Sequence, residues 1–99
     1  MKSIEQIQKC LEALKPVLTE RFQVETIGVF GSYSRGEQSK KSDVDILVEL
    51  TKDAHMGLLK FVDLEIFLTE QLEIKVDLVM KDGIKPSLRD RILNEVVYV

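Results

Sequence analysis

Three acidic side chains lie in segments with the pattern of strands, and two of them are only two residues apart. Asp43 and Asp45 flank Val44, and Asp77 lies within Lys-Val-Asp-Leu-Val-Met. Side chains alternate along a strand, so Asp43 and Asp45 point to the same side, about 6.6 Å apart along the backbone. Such carboxylates repel each other unless a cation neutralises them, and Mg²⁺ prefers hard oxygen ligands together with substrate phosphates. The pattern predicts a magnesium site for phosphate chemistry, with Asp77 as the candidate third ligand.

A glycine–serine pair precedes these acids, at the end of another apolar segment. Gly31 and Ser32 follow Val-Glu-Thr-Ile-Gly-Val-Phe, and Arg35 comes three residues later. Glycine lets the backbone approach a ligand closely, and free N–H groups after a strand bind anions. Ser32 adds a hydroxyl donor, while Arg35 could face a phosphate or brace the acids. The segment therefore predicts a binding site for a nucleoside triphosphate.

Each motif taken alone is more typical of ordinary structure. A Gly-Ser pair after a strand is usually a turn, and an Asp-x-Asp pair is often a solvated strand edge. Tyr33, beside the pair, could stack on a base, shield the metal ions or simply pack. The conjunction of both motifs in this order is what favours a functional site.

The elements that would position these residues alternate between helix and strand. Helical spacing from residue 4 predicts a first helix, with Ser3 and Gln6 as a capping box and Pro16 kinking or splitting it. Strands are predicted at 24–30, 44–50 and 75–80, helices at 57–72 and from 86 to about 96, and a short helix or loop at 34–42. The order α-β-α-β-α-β-α predicts an α/β fold in which helices flank a three-stranded mixed sheet.

The position of the candidate residues also constrains the strand directions. Ser32 ends the first strand, whereas Asp43 and Asp45 begin the second, so these two strands should be antiparallel. Asp77 lies inside the third strand and reaches the same place if strands two and three are parallel, and the 57–72 helix is long enough for that crossover.

Composition limits the possible functions. The 99 residues predict a single domain, 1–99, and the net charge of −3 (14 basic against 17 acidic side chains) makes direct nucleic-acid binding unexpected. One cysteine and one histidine exclude a disulfide framework and most zinc sites. Neither a signal peptide nor a membrane span is predicted, so a cytoplasmic location is expected. The 57–72 helix has more apolar surface than the sheet can cover, which predicts contact with a partner or self-association.

The motifs together resemble the signature of the polymerase-β-type nucleotidyltransferase superfamily. The matching residues are Gly31-Ser32-x-x-Arg35-Gly36 and Ser42-Asp43-x-Asp45, and the resemblance extends to Lys75-Val76-Asp77 and to Lys85-Pro86 onwards. Its minimal (MNT) branch, the antitoxins that accompany HEPN toxins, is most similar. Ser34 stands where many members have Ala, and the three acids show no departure.

The resemblance implies a fold, a reaction and a partner. It implies that Asp43 and Asp45 hold two Mg²⁺ ions, that Asp77 completes the catalytic metal site, and that Gly31 and Ser32 bind the triphosphate of ATP. The implied reaction moves AMP from ATP to a tyrosine hydroxyl of a HEPN ribonuclease toxin and so neutralises it. Two alternatives stay open: an antitoxin that acts by occlusion without catalysis, and an adenylyltransferase for a small molecule. In either antitoxin, homo-oligomers or hetero-oligomers with the toxin are expected.

Overall fold

The computed structural model describes residues 2–99, and its first element is helix α1, Ile4–Phe22. The predicted capping box is confirmed: the Gln6 amide donates to the Ser3 hydroxyl, and the Ser3 amide donates to Gln6 Oε1 at 2.8 Å. These two bonds satisfy amides that have no partner within the helix. Gln23 ends the helix in the left-handed conformation, with its amide bonded to the last turn.

Pro16 does not split α1, so the predicted split is wrong, while the alternative, a kink at Pro16, stays a prediction. The helix continues on both sides of it, although proline removes one backbone hydrogen bond. Pro16 is exposed, and water can therefore bond the carbonyl that lacks its usual partner. Leu11 and Leu18, on either side of Pro16, are fully buried and hold both halves of the helix against the sheet.

A mixed sheet of four strands follows, in the spatial order β3-β2-β1-β4. As predicted, β1 and β2 are antiparallel and β2 and β3 are parallel. The second pair is joined through helix α2, and helix α3 precedes β4. The element bounds are β1 Val24–Phe30, β2 Val44–Leu50, α2 Leu58–Leu72, β3 Val76–Met80, α3 Pro86–Glu95 and β4 Val97–Tyr98.

The fourth strand corrects the prediction of three strands. The last helix ends at Glu95 rather than at about residue 96, and the chain then extends along the free edge of β1. A strand of two residues is too short to show a period in the sequence, although its β-branched neighbours favour extended backbone. Gly28 lets β4 approach, because a β-carbon at this position would lie 2.6 Å from Val96 Cγ2.

The segments between the elements are turns and loops, of which residues 31–43 connect β1 to β2. The backbone forms a 3₁₀ turn at Gly31–Tyr33, directly after β1, and another at Lys81–Gly83. The 34–42 segment is turn and loop rather than helix. Tyr33 is only 2% exposed and belongs to the hydrophobic core, so of the three roles open to it the packing role is confirmed.

The two faces of the sheet are covered unequally. Helices α1 and α2 cover one face, where Ile46 and Val48 join the main core. On the other face Leu47 packs with Phe30 and Ile84, against side chains of α3. This alternation within β2 is the two-residue period of a strand that is covered on both sides.

Helix α2 leaves several apolar side chains in solvent. Their exposed fractions are 77% for Leu58, 82% for Leu59, 39% for Val62 and 50% for Ile66. The predicted apolar surplus is therefore present, and its use as a contact surface stays a prediction. Within residues 2–99, no helix is both long and apolar enough to cross a bilayer.

Candidate active site

Asp45 and Asp77 meet near the start of two neighbouring strands, β2 and the edge strand β3. The parallel register of β2 and β3 pairs them directly, and both side chains leave the face opposite α1 and α2. Their neighbours on either side, including Val44 and Val76, point into the main core and are buried. The rigid ladder thus holds two carboxylates side by side across 32 residues of sequence.

The surroundings of Asp45 oppose its ionisation. The pKa of Asp45 is raised from 3.8 to about 6. The largest cause is partial burial, followed by the charge of Asp77, a hydrogen bond to the Asp77 carboxylate and the charge of Asp43. Arg35 acts in the opposite direction. The Asp45 carboxyl therefore keeps its proton to a higher pH than an isolated aspartate does.

Asp43 lies one residue before β2 and is exposed. It lines a separate cavity of about 720 Å³, together with Lys40, Lys41 and Lys75. Across the described residues, 2–99, no three acidic, histidine or cysteine side chains form a ready metal-binding group. The structure therefore brings together Asp45 and Asp77, with Asp43 near enough for its charge to act on Asp45.

Gly31 lies against the Asp45 carboxylate. The antiparallel register places Phe30 opposite Asp45, so the next residue passes directly over the acid. Gly31 has φ +75°, and a β-carbon built there would overlap the Asp45 carboxylate. Both the conformation and the close approach require glycine. Ser32 is half-buried beside it, and both residues line a cavity of about 300 Å³ with Asp45 and Arg35.

Arg35 reaches the same cavity but is held by two acids. Its Nη1 donates to Glu95 Oε1 at 2.8 Å, and its Nε donates to Glu37 Oε1 at 3.0 Å. Arg35 makes no hydrogen bond to Asp43, Asp45 or Asp77 in the described residues, and phosphate binding by Arg35 stays a prediction. Arg35 nevertheless lies within reach of Asp45, whose pKa it lowers.

The sequence analysis missed Glu95 and Arg91. Glu95 ends α3, and its Oε2 accepts the Gly31 N–H at 3.3 Å, while Arg91 Nε lies 3.5 Å from Oε1. Partial burial alone would raise the pKa of Glu95, but Arg35, the Gly31 amide and Arg91 outweigh it and lower that pKa. The one available signal was an acid at a helix C-terminus, where the helix dipole disfavours negative charge.

The arrangement combines two kinds of binding group. Paired carboxylates are hard oxygen donors for a divalent cation, and the neighbouring amide, hydroxyl and guanidinium suit phosphate oxygens. A family model for the nucleotidyltransferase domain matches residues 11–99. The chain belongs to this nucleotidyltransferase family.

Individual relatives of this nucleotidyltransferase agree with the family match. Protein adenylyltransferase MntA of Thermococcus cleftensis is 50% identical over 99 residues, which are 100% of this chain and 98% of that protein. A solved chain assigned as a minimal nucleotidyltransferase has a TM-score of 0.79 at 31% identity, covering 97% of this chain and 95% of the other. A toxin–antitoxin crystal structure with AMP-PNP has a TM-score of 0.73 at 25% identity, covering 93% and 70%. The predicted α/β minimal nucleotidyltransferase fold is thus confirmed, with four strands in place of three.

Proposed function

We propose that this nucleotidyltransferase is an antitoxin that transfers AMP from ATP to a tyrosine hydroxyl of a HEPN ribonuclease toxin. The observation that carries the reaction is the Asp45–Asp77 pair lying against the Gly31–Arg35 anion-binding segment. The MntA relative supports a protein as the acceptor, and the toxin–antitoxin neighbour supports a toxin. HEPN as its class follows from the resemblance to MNT antitoxins. The proposal assigns the machinery to one domain, 1–99, and to the cytoplasm, where ATP is available.

The donor set fits magnesium. The neighbouring charge of Asp77 helps to raise the pKa of Asp45 to about 6, and a divalent cation would neutralise this pair of carboxylates with oxygen ligands that it prefers. Asp43, Asp45 and Asp77 would hold two Mg²⁺ ions. When bound, the ions supply positive charge to the phosphate oxygens as negative charge develops on them.

The chain's own groups bind and orient the reactants. The Gly31 amide, the Ser32 hydroxyl and Arg35 hold the β and γ phosphates, and this leaves the α-phosphorus beside the acid pair. Asp77 receives the proton of the attacking hydroxyl. The new bond joins that oxygen to the α-phosphorus, the bond from the α-phosphorus to the bridging oxygen breaks, and pyrophosphate leaves with the electron pair.

A double substitution tests the function. Asp43→Asn with Asp45→Asn removes two charges while it keeps side-chain shape, so the variant should fold and still bind the toxin. Transfer of label from α-labelled ATP to the toxin should fall by about 10³-fold, since these ligands act at the transition state. Asp53→Asn, an exposed acid of the turn after β2, is the matched control and should transfer as the wild type does.

The same experiment separates the alternatives. If the transfer-dead variant still protects cells from the toxin, the chain acts by occlusion. If the wild type labels a small hydroxyl compound and never the toxin, the acceptor is a small molecule. Loss of protection together with loss of transfer supports the proposal.

A further inference from the structure

The Glu95 carboxylate occupies a site formed by hydrogen-bond donors of other residues, and these donors could also bind an anionic ligand. Its two carboxylate oxygens take the Gly31 N–H and the Arg35 guanidinium, and Arg91 approaches the same carboxylate. An amide at the end of a strand and two guanidinium groups are the donors that phosphate oxygens use in proteins. Glu95 is only 18% exposed, whereas its arginine partners are 36% and 65% exposed.

Within α3, Arg91 one turn earlier favours an acid at this position, whereas the end of the helix opposes it. Glu95 is the last residue of the helix, where the carbonyl ends repel a negative charge. Asp45 lies on the other side of Gly31 and adds a second negative charge to the neighbourhood. Besides Arg91, the carboxylate is held here by the donors of the cradle, which we define as the Gly31 N–H and the Arg35 guanidinium. The Arg35 contact, at 2.8 Å, is shorter than the 3.5 Å Arg91 contact.

We propose that Glu95 is an internal occupant of this cradle, which a phosphate group of ATP displaces on binding, so that Glu95 sets the affinity for the nucleotide. The inference rests on the proposed function, which assigns the cradle to the triphosphate. A triphosphate and Glu95 cannot both use the Gly31 N–H. Their like charges also repel across a cavity of about 300 Å³. Displacement frees Arg35 for the phosphate, and the cost of displacement weakens apparent binding.

The second acid on Arg35 provides a matched control. Glu37 Oε1 accepts from Arg35 Nε at 3.0 Å, and Gly31 donates to Glu95 rather than to Glu37. If an acid mattered only by neutralising the guanidinium, Glu37→Gln and Glu95→Gln would have the same effect. If occupancy of the cradle matters, only Glu95→Gln changes the affinity.

The experiment measures the binding of inorganic tripolyphosphate to the full chain by calorimetry. Glu95→Gln keeps the side-chain shape but loses the charge, and its Kd should fall by about three- to tenfold, while Glu37→Gln stays within about twofold of the wild type. With ATP and acceptor, Glu95→Gln should lower KM more than it changes kcat. Equal or weaker binding by Glu95→Gln, or the same gain in Glu37→Gln, would overturn the proposal.

A measurement on the wild type covers the case in which Glu95→Gln fails to fold. The ¹³C resonance of the Glu95 carboxyl should move towards its solvent-exposed value as tripolyphosphate saturates the chain, and the Gly31 amide should shift with it. A Glu95 resonance that stays fixed at saturation overturns the proposal. Because neither readout requires AMP transfer, failure here is distinguishable from failure of the proposed function, which appears as absent label transfer.

Discussion

The two faces of the sheet differ in how many apolar side chains are buried against them. Under α1 and α2 the strands contribute a continuous apolar layer, whereas the opposite face has a small cluster around Leu47 and leaves Asp77 exposed. Successive residues of β2 serve different faces, so Val44 and Ile46 stabilise the sheet while Asp45 between them faces the site. Stability and chemistry are therefore separable by substitution, even though they share the same strands.

The largest expected effect is the loss of chemistry without loss of fold. Asp77→Asn removes the proposed proton acceptor and one oxygen charge, so AMP transfer should fall by about 10³-fold. The thermal midpoint should not decrease, because Asp77 is outside the core and the change relieves repulsion with Asp45. Label transfer and thermal melts measure the two quantities. A parallel fall in both would show that the faces are not separable.

Substitutions on the face covered by α1 and α2 should lower the stability of the fold. Leu68 is fully buried in α2, and Leu68→Ala should lower the free energy of unfolding by about 2–5 kcal/mol. Leu59, in the same helix and 82% exposed, is the matched control, and Leu59→Ala should cost less than about 0.5 kcal/mol. Denaturant titration measures both. Equal losses would mean that solvent does not reach Leu59, as in a self-associated form.

Gly31 contributes both to stability, through its left-handed backbone, and to the candidate site, through its contact with Asp45. Gly31→Ala imposes a left-handed alanine and an overlap with Asp45, whereas Gly36→Ala imposes only the first, since nothing lies within 4 Å of that added β-carbon. Both should lose about 1–2 kcal/mol of stability from the backbone alone. Gly31→Ala should lose more, and only it should impair transfer by displacing the Asp45 carboxylate. Identical melts and activities for the two variants would contradict the contact.

The smallest expected effect is a pH dependence of stability. Because the folded pKa of Asp45 is about 6 and its usual value is 3.8, the folded state binds the proton more tightly. The contribution to stability is therefore fully present below about pH 3.8 and is lost as pH rises through about 6. Asp45→Asn should reduce this dependence, measured by denaturant midpoints in chelator.

Magnesium should stabilise the folded wild type at a pH where Asp45 is ionised, as protonation of Asp45 does at lower pH. Added Mg²⁺ should raise the stability of the wild type at pH 7.5 and leave Asp45→Asn nearly unchanged, since binding to the folded state alone stabilises it. A shift of the same size in both proteins would count against Asp45 as a ligand.

The sequence predicted those features that repeat over several residues. Alternation and β-branched runs placed β1, β2 and β3, and the requirement that Ser32 meet the acids gave the correct strand directions. The two-residue β4 has no period to read. The continuity of α1 through Pro16 depends on core contacts that propensity does not include.

The site was predictable where its residues are neighbours in sequence. Gly31, Ser32 and Asp45, which the structure brings together, belong to short motifs with recognisable spacing, whereas Asp43 of the same Asp-x-Asp motif lines a separate cavity. Glu95 contacts Arg35 across 60 residues, and no local pattern reports that pairing. Such a partner is visible only when the tertiary structure brings the end of α3 to the end of β1.

The parallel pairing of β2 with β3 also affects the order in which the protein can be made. The β1–β2 pair closes over a short loop, but Asp77 reaches Asp45 only after α2 has crossed the sheet. Contacts this distant in sequence form more slowly than local ones, because more loop-closure entropy is lost before they stabilise the chain. A nascent chain that has reached only α2 already holds Asp43, Asp45 and the glycine–serine turn, yet it lacks the second half of the acid pair. We therefore expect a product that ends before β3 to lack AMP transfer, because the proposed proton acceptor Asp77 is missing from it.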